Sequence, residues 1–157
     1  MSDESITIRL AIPDEAALVA EHRARMFQDM GRLDAERAST MIEQVTPLVQ
    51  QMLSSGEYVG WLARDGAGRV IGGAGVQLRR LLPRPETSVT REALVVNVYV
   101  QAAYRRKGLA RRLMTAILEW CREQGIERIV LHASEMGRPL YTSLGFAPSG
   151  ELVLYLQ

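Results

Sequence analysis

The most constraining stretch of this chain is a junction. The nearly continuous apolar run Ala93-Leu94-Val95-Val96-Asn97-Val98-Tyr99-Val100 is followed, five residues on, by Arg105-Arg106-Lys107-Gly108-Leu109-Ala110-Arg111-Arg112. A run that is apolar at both alternating positions belongs to a central strand covered on both faces. The pattern then changes period: Leu109, Leu113, Ile117 and Trp120 share one face of a helix that ends at Glu123-Gln124-Gly125. The first turn of such a helix presents N–H groups without intrahelical partners, and the helix dipole adds partial positive charge. A phosphate binds well there. Gly108 has no Cβ to keep an anion off the backbone, Ala110 keeps the turn low, and Arg105, Arg106, Lys107 and Arg111 add charge-assisted hydrogen bonds. The junction therefore predicts a diphosphate, or a ligand that contains one.

The rest of the chain supplies the elements around it. Residues 6–10 alternate as an opening strand, and Pro13-Asp14-Glu15 starts a helix running towards Met30. Ala38, Met41, Ile42, Val45, Val49 and Met52 mark a second amphipathic helix, which ends near Ser54-Ser55-Gly56 and contains Pro47 as a kink position. Residues 58–64 and 70–82 form a hairpin around Asp65-Gly66-Ala67-Gly68, and Pro83-Arg84-Pro85 breaks its second strand. After the central strand and basic helix come a strand at 129–131, a short helix at 138–144 closed by Gly145, and two last strands at 146–147 and 152–156. The 157 residues carry no repeat, low-complexity tract or flexible linker, so one domain spanning 1–157 is expected.

Composition removes several classes of function. Cys121 is the only cysteine and reads as a small buried hydrophobe, while His22 and His132 are too few and too scattered for a zinc motif, so no metal is implied. Nineteen basic residues against eighteen acidic ones leave a net charge of +1, and no aromatic stacking motif flanks the basic cluster, which speaks against nucleic acid. A Mg²⁺-nucleotide loop needs Gly-Lys-Ser/Thr, whereas Lys107 precedes Gly108 and Leu109 follows it. There is no apolar run of membrane-spanning length and no secretory leader pattern, so the expectation is a cytoplasmic protein with no membrane partner.

Two stretches resemble a known family. Arg105-Arg106-Lys107-Gly108-Leu109-Ala110, placed after Asn97-Val98-Tyr99-Val100, is similar to the Gln/Arg-x-x-Gly-x-Gly/Ala signature of the GCN5-related N-acetyltransferases. The stretch Ala133-Ser134-Glu135-Met136-Gly137-Arg138-Pro139-Leu140-Tyr141-Thr142-Ser143-Leu144-Gly145-Phe146 is similar to that family's pattern of a tyrosine before x-x-Leu-Gly-Phe. The element order resembles the family over nearly the whole chain.

The resemblance implies an α+β fold in three layers, with a mixed, mostly antiparallel sheet of six to seven strands and about four helices. It implies acetyl-CoA as cosubstrate and an amine as acceptor. By the same resemblance, Arg105, Arg106, Lys107, Gly108, Leu109, Ala110 and Arg111 cradle the pyrophosphate. Val98, Tyr99 and Val100 form a bulge that offers backbone groups to the pantetheine arm, Ser134 joins the CoA-binding set, and the arm lies where the strand carrying Val98 splays from that carrying Leu131. Tyr141 is implied as the general acid for the departing thiolate. A phenol of pKa about 10 stays protonated at neutral pH and can protonate a thiolate of pKa about 8.5. The base is unassigned: Glu92, His132 and a water relay are the candidates. Arg23, Arg25, Met26 and Phe27 lie on a helix that flanks the acceptor cleft in relatives, while Arg79, Arg80 and Arg84 read more simply as a charged strand end and loop. Dimers are common in that family, and the sequence neither supports nor excludes one. The rival reading is a CoA-binding sensor without catalysis.

Overall fold

The computed structural model describes residues 5–157. Its elements are β1 (Thr7–Leu10), α1 (Ala16–Asp29), α2 (Ala35–Ser55), β2 (Tyr58–Arg64), β3 (Val70–Arg80), β4 (Arg91–Val100), α3 (Leu109–Glu123), β5 (Arg128–Leu131) and α4 (Arg138–Ser143). The strands form one sheet in the order β1-β2-β3-β4-β5, antiparallel except for the parallel pair β4–β5. That parallel pair needs a crossover, and α3 provides it.

Local chemistry explains the boundaries. Asp34 caps α2 by accepting a hydrogen bond from the Arg37 N–H at 2.8 Å, and Gly56 at φ 84° ends it in the left-handed conformation that glycine adopts without strain. Pro47 sits inside α2 without ending it. On one face of the sheet, α3 buries Leu113, Met114, Ile117 and Cys121 completely against Trp61, Ala63, Ile71, Val76, Ala93 and Val95. On the other, Ala16 and Val19 of α1 and Val49 of α2 surround Tyr58. The result is helix, sheet, helix: three layers with two apolar seams.

The expectation of six to seven strands is corrected to five among the described residues. Residues 146–147 and 152–156 pair with no strand, and Leu152, Leu154, Tyr155 and Leu156 are each more than 80% exposed. Alternating apolar residues favour extended backbone, but a strand also needs an edge to pair with, and none of the described strands pairs with them.

Inside β4 the ladder is interrupted. Gly73 pairs with Tyr99 and Gly75 with Val96, so Asn97 and Val98 together stand opposite Ala74 alone. This is a β-bulge, and it inverts the alternation of the strand. Ala93 and Val95 face α3 before it, and Val98 and Val100 face the same cluster after it. Asn97 itself has φ 59°. Asparagine tolerates that left-handed region better than any β-branched neighbour in the strand.

The bulge is held by groups from two other elements. Arg23 of α1 donates to Asn97 Oδ1 at 2.9 Å, and Asn97 Nδ2 donates to the hydroxyl of Tyr58 of β2 at 3.1 Å, so both ends of the buried amide are satisfied. Tyr58 reaches Asn97 only because β3 is glycine-rich. A Cβ on Gly75 would lie 2.0 Å from the Tyr58 hydroxyl oxygen. Gly75→Ala should therefore displace Tyr58, break its contact with Asn97 and cost about 1–3 kcal/mol, read as a lower denaturant midpoint. An unchanged midpoint would show that the ring does not rely on that glycine.

His22 of α1 is buried against the same strand, with its ring centroid 5.2 Å from that of Tyr99. Burial is the main cause that drives its pKa from 6.5 down to about 4, with Glu21 opposing and Arg25 assisting. The unfolded chain therefore binds a proton that the native state refuses between those two values. Stability from this group is complete above pH 6.5 and is lost as pH falls towards 4. Between pH 7 and 4.5 the wild type should lose about 2 to 3 kcal/mol more than His22→Gln. Urea unfolding at the two pH values measures this, and equal losses would exclude His22 as the source.

Candidate active site

The parallel ladder between β4 and β5 runs from Glu92–Arg128 to Val95–Leu131 and stops. Beyond it the strands separate, and among the described residues no strand pairs with the β5-facing edge of β4 from residue 96 onward. The bulge at Asn97–Val98 falls at this point, so backbone irregularity and strand separation coincide. The expectation placed the bulge on Val98, Tyr99 and Val100. It begins one residue earlier, at Asn97, and includes Val98, while Tyr99 and Val100 are back in register with Gly73 and Gly72.

A cavity of about 430 Å³ opens at the separation. Leu94, Val95, Val96, Asn97 and Val98 of β4 form one wall, Leu131, His132, Ser134 and Tyr141 another, and Arg23, Met26 and Phe27 of α1 a third. Of the α1 group expected near an acceptor, Arg25 is the exception. It is exposed and paired with Glu21.

Tyr141 is half-buried on α4, its ring packed edge-on against Phe146 at 6.1 Å between centroids. A Cβ on Gly137 would lie 2.8 Å from this ring, so Gly137 gives Tyr141 its place against the preceding turn. Burial raises its pKa above the ordinary tyrosine value, which keeps the phenol protonated at neutral pH. Ser134 shapes the same turn: its hydroxyl accepts from the Gly137 N–H at 3.1 Å and its carbonyl from the Arg138 N–H at 3.0 Å.

The basic turn lies at the N-terminus of α3. Gly108 takes φ 80°, with open space where a side chain would begin. Arg106 also has positive φ, 61°, so the chain wraps tightly before the helix. Leu109 is buried and anchors the first turn, and Arg106, Lys107, Gly108 and Arg111 are exposed around it, with Ala110 half-buried. Arg105 differs from its neighbours. Its guanidinium bonds the Val100 carbonyl at 2.8 Å and Asp29 at 2.5 Å, and so ties the turn to β4 and to the end of α1. Among the described residues Arg106 and Lys107 have no carboxylate partner, and the Lys107 ammonium lies 5.9 Å from the centroid of the Tyr104 ring. Arg111 donates to the Ser143 hydroxyl at 2.7 Å, joining this turn to the helix that carries Tyr141.

The two candidate bases part company. Glu92 stands at the closed end of the β4–β5 ladder, where it bonds Arg79 at 2.5 Å and also Arg128. It straps three strands together and does not line the cavity. His132 is exposed and does line it. Among the described residues no three His, Cys, Asp or Glu side chains cluster as a metal site would require, and no helix is long and apolar enough to cross a membrane.

Asn97, Arg32, Gln77 and Tyr155 border the cavity although the sequence did not single them out. Asn97 carried a signal, as the one strongly polar residue between Leu94 and Val100. The other three reach the cavity through tertiary packing and left no local pattern.

Known proteins resemble the chain in sequence and fold. A GCN5-related N-acetyltransferase from Ralstonia eutropha JMP134 superposes with a TM-score of 0.88 at 31% identity, covering 96% of this chain and 98% of that one. A predicted acetyltransferase from Clostridium acetobutylicum, crystallised with acetyl-CoA, shares the fold with a TM-score of 0.86 at 22% identity, covering 96% of each chain. N-acetyltransferase 8 of Homo sapiens is 24% identical over 116 residues, which is 71% of this chain and 48% of that protein. The chain spans about half the length of the curated relatives it matches. The profile of the Acetyltransferase (GNAT) family matches residues 19–146, and the chain accordingly belongs to the GNAT family of acetyltransferases.

Proposed function

We propose that this chain is a single-domain N-acetyltransferase that moves the acetyl group of acetyl-CoA to a primary amine of a small molecule or protein. The observation that carries the reading is the opening of β4 from β5 at Val95–Leu131, with the bulge of Asn97 on one side and Tyr141 on the other. A thioester arm laid in this gap finds unpaired strand backbone beside it, and the relative crystallised with acetyl-CoA has the same fold. The basic turn before α3 receives the pyrophosphate through the free N–H groups of Gly108, Leu109 and Ala110, with Arg106 and Lys107 adding charge.

The chemistry is direct transfer in a ternary complex. The neutral amine attacks the thioester carbonyl, and N–H groups of β4 around Val98 stabilise the oxyanion. The new C–N bond forms, the C–S bond breaks, Tyr141 gives its proton to the departing sulfur and is reprotonated from solvent, and the ammonium proton leaves through water or His132. Glu92, held by two arginines away from the cavity, takes no part.

Tyr141→Phe removes only the transferable proton. It should lower kcat by roughly 100-fold or more while leaving the KM for acetyl-CoA within about twofold. The burial that raises the Tyr141 pKa places the alkaline limb of the wild-type pH profile above the ordinary tyrosine range, and that limb should vanish in Tyr141→Phe. Thiol release followed with an amine panel measures both. An unchanged kcat would contradict the role of Tyr141, and acetyl-CoA binding without any thiol release would favour the non-catalytic sensor.

A further inference from the structure

The charged side chains around the cavity are all of one sign. Arg23 and Arg32 line it, His132 is the remaining ionisable nitrogen, and among the described residues no aspartate or glutamate lines it. The two guanidiniums are grouped on a single ring, with Arg23 5.0 Å and Arg32 4.8 Å from the centroid of Phe27. The carboxylates nearest along α1 are already taken, Glu21 by Arg25 and Asp29 by Arg105. Among the described residues neither Arg23 nor Arg32 has a carboxylate partner. Arg23 is half-buried, one of its nitrogens is committed to the neutral amide of Asn97, and its other N–H groups have no acceptor among the described residues.

Arg23 holds its charge at a half-buried wall beside the like charge of the exposed Arg32, and it lacks the compensation that buried charges ordinarily have. Burial, and after the opposing influence of Tyr58 also Arg32, pull the pKa of Arg23 below its usual value. An anion placed between them removes that penalty, and guanidinium forks bind carboxylate or phosphate oxygens in pairs. The Phe27 ring lies within cation–π distance of both guanidiniums and so keeps the two donors close together at the cavity.

We propose that the acceptor is an amine that also carries an anionic group, a carboxylate or a phosphate, and that Arg23 and Arg32 bind this group while the amine reaches the gap beside Tyr141. The inference rests on the acetyltransferase reading for the role of the amine. The anion site stands on the geometry alone. Polycationic amines are disfavoured by the same charges.

The test is calorimetric titration of the CoA-saturated protein with matched pairs: glucosamine 6-phosphate against glucosamine for phosphate, glutamate against glutamine for carboxylate, and spermidine as polycation. The expected result is that the anionic member of at least one pair binds at least tenfold more tightly than its neutral twin and that spermidine binds most weakly. The pair that discriminates identifies the anion. Arg23→Gln should abolish the preference. Because that variant also disturbs Asn97, Arg32→Glu, at an exposed residue whose contact is with Phe27, provides an independent arm and should also abolish it. Equal binding within both pairs, tighter binding of spermidine, or a preference unaffected by Arg32→Glu would overturn the proposal. Should CoA itself not bind, the acetyltransferase reading fails, and the same titrations on the free protein still decide the anion site.

Discussion

A sheet that pairs fully along β4 and β5 has no room for a ligand arm, and here the ladder gives way where Asn97 turns its backbone to φ 59°. Such a turn inside a buried strand is costly unless the side chain that makes it is satisfied. Arg23 and Tyr58 satisfy it from α1 and β2, so helix, strand and bulge are fixed together. The glycines of β3 belong to the same arrangement, because a side chain at Gly75 would occupy the place of the tyrosine. The cavity depends on a polar cluster embedded in an apolar layer, and α3 on the opposite face supplies the rigid backing.

Charge is distributed around this opening with a division of labour. Glu92 closes the lower end by holding β3 and β5 through Arg79 and Arg128, and Arg105 closes the side by bonding β4 and α1. Those arginines are structural, and their carboxylate partners neutralise them. Arg106 and Lys107 at the turn, and Arg23 and Arg32 at the cavity, lack such partners among the described residues. In the proposed reading these two unneutralised groups meet the two ends of the reaction, the CoA phosphates and the acceptor.

Much of this was legible in the sequence, and for identifiable reasons. The three-and-four spacing of Leu109, Leu113 and Ile117 and the apolar run of β4 are dictated by burial on one and two faces, so their elements follow directly. Gly56 and Gly108 mark a helix end and a helix start because left-handed backbone selects glycine. The strands expected at 146–147 and 152–156 failed because pairing depends on a partner edge, which alternation does not encode. The bulge was legible as a residue type, a lone Asn among aliphatics, but its position was set by the register with Gly73 and Gly75. Glu92 looked available as a base because its two arginine partners lie 13 residues before it and 36 after it, and only the sheet brings the three together.

Calorimetric titration of acetyl-CoA into the wild type, Asn97→Gly and Asn97→Val, with circular dichroism to verify folding, tests whether the conformation of Asn97 creates the binding gap. Glycine keeps the left-handed backbone and loses the hydrogen bonds, whereas valine resists that backbone. Asn97→Gly should bind acetyl-CoA within a few-fold of the wild type, and folded Asn97→Val should bind at least roughly tenfold more weakly. Undiminished binding by a folded Asn97→Val protein would contradict that role of Asn97.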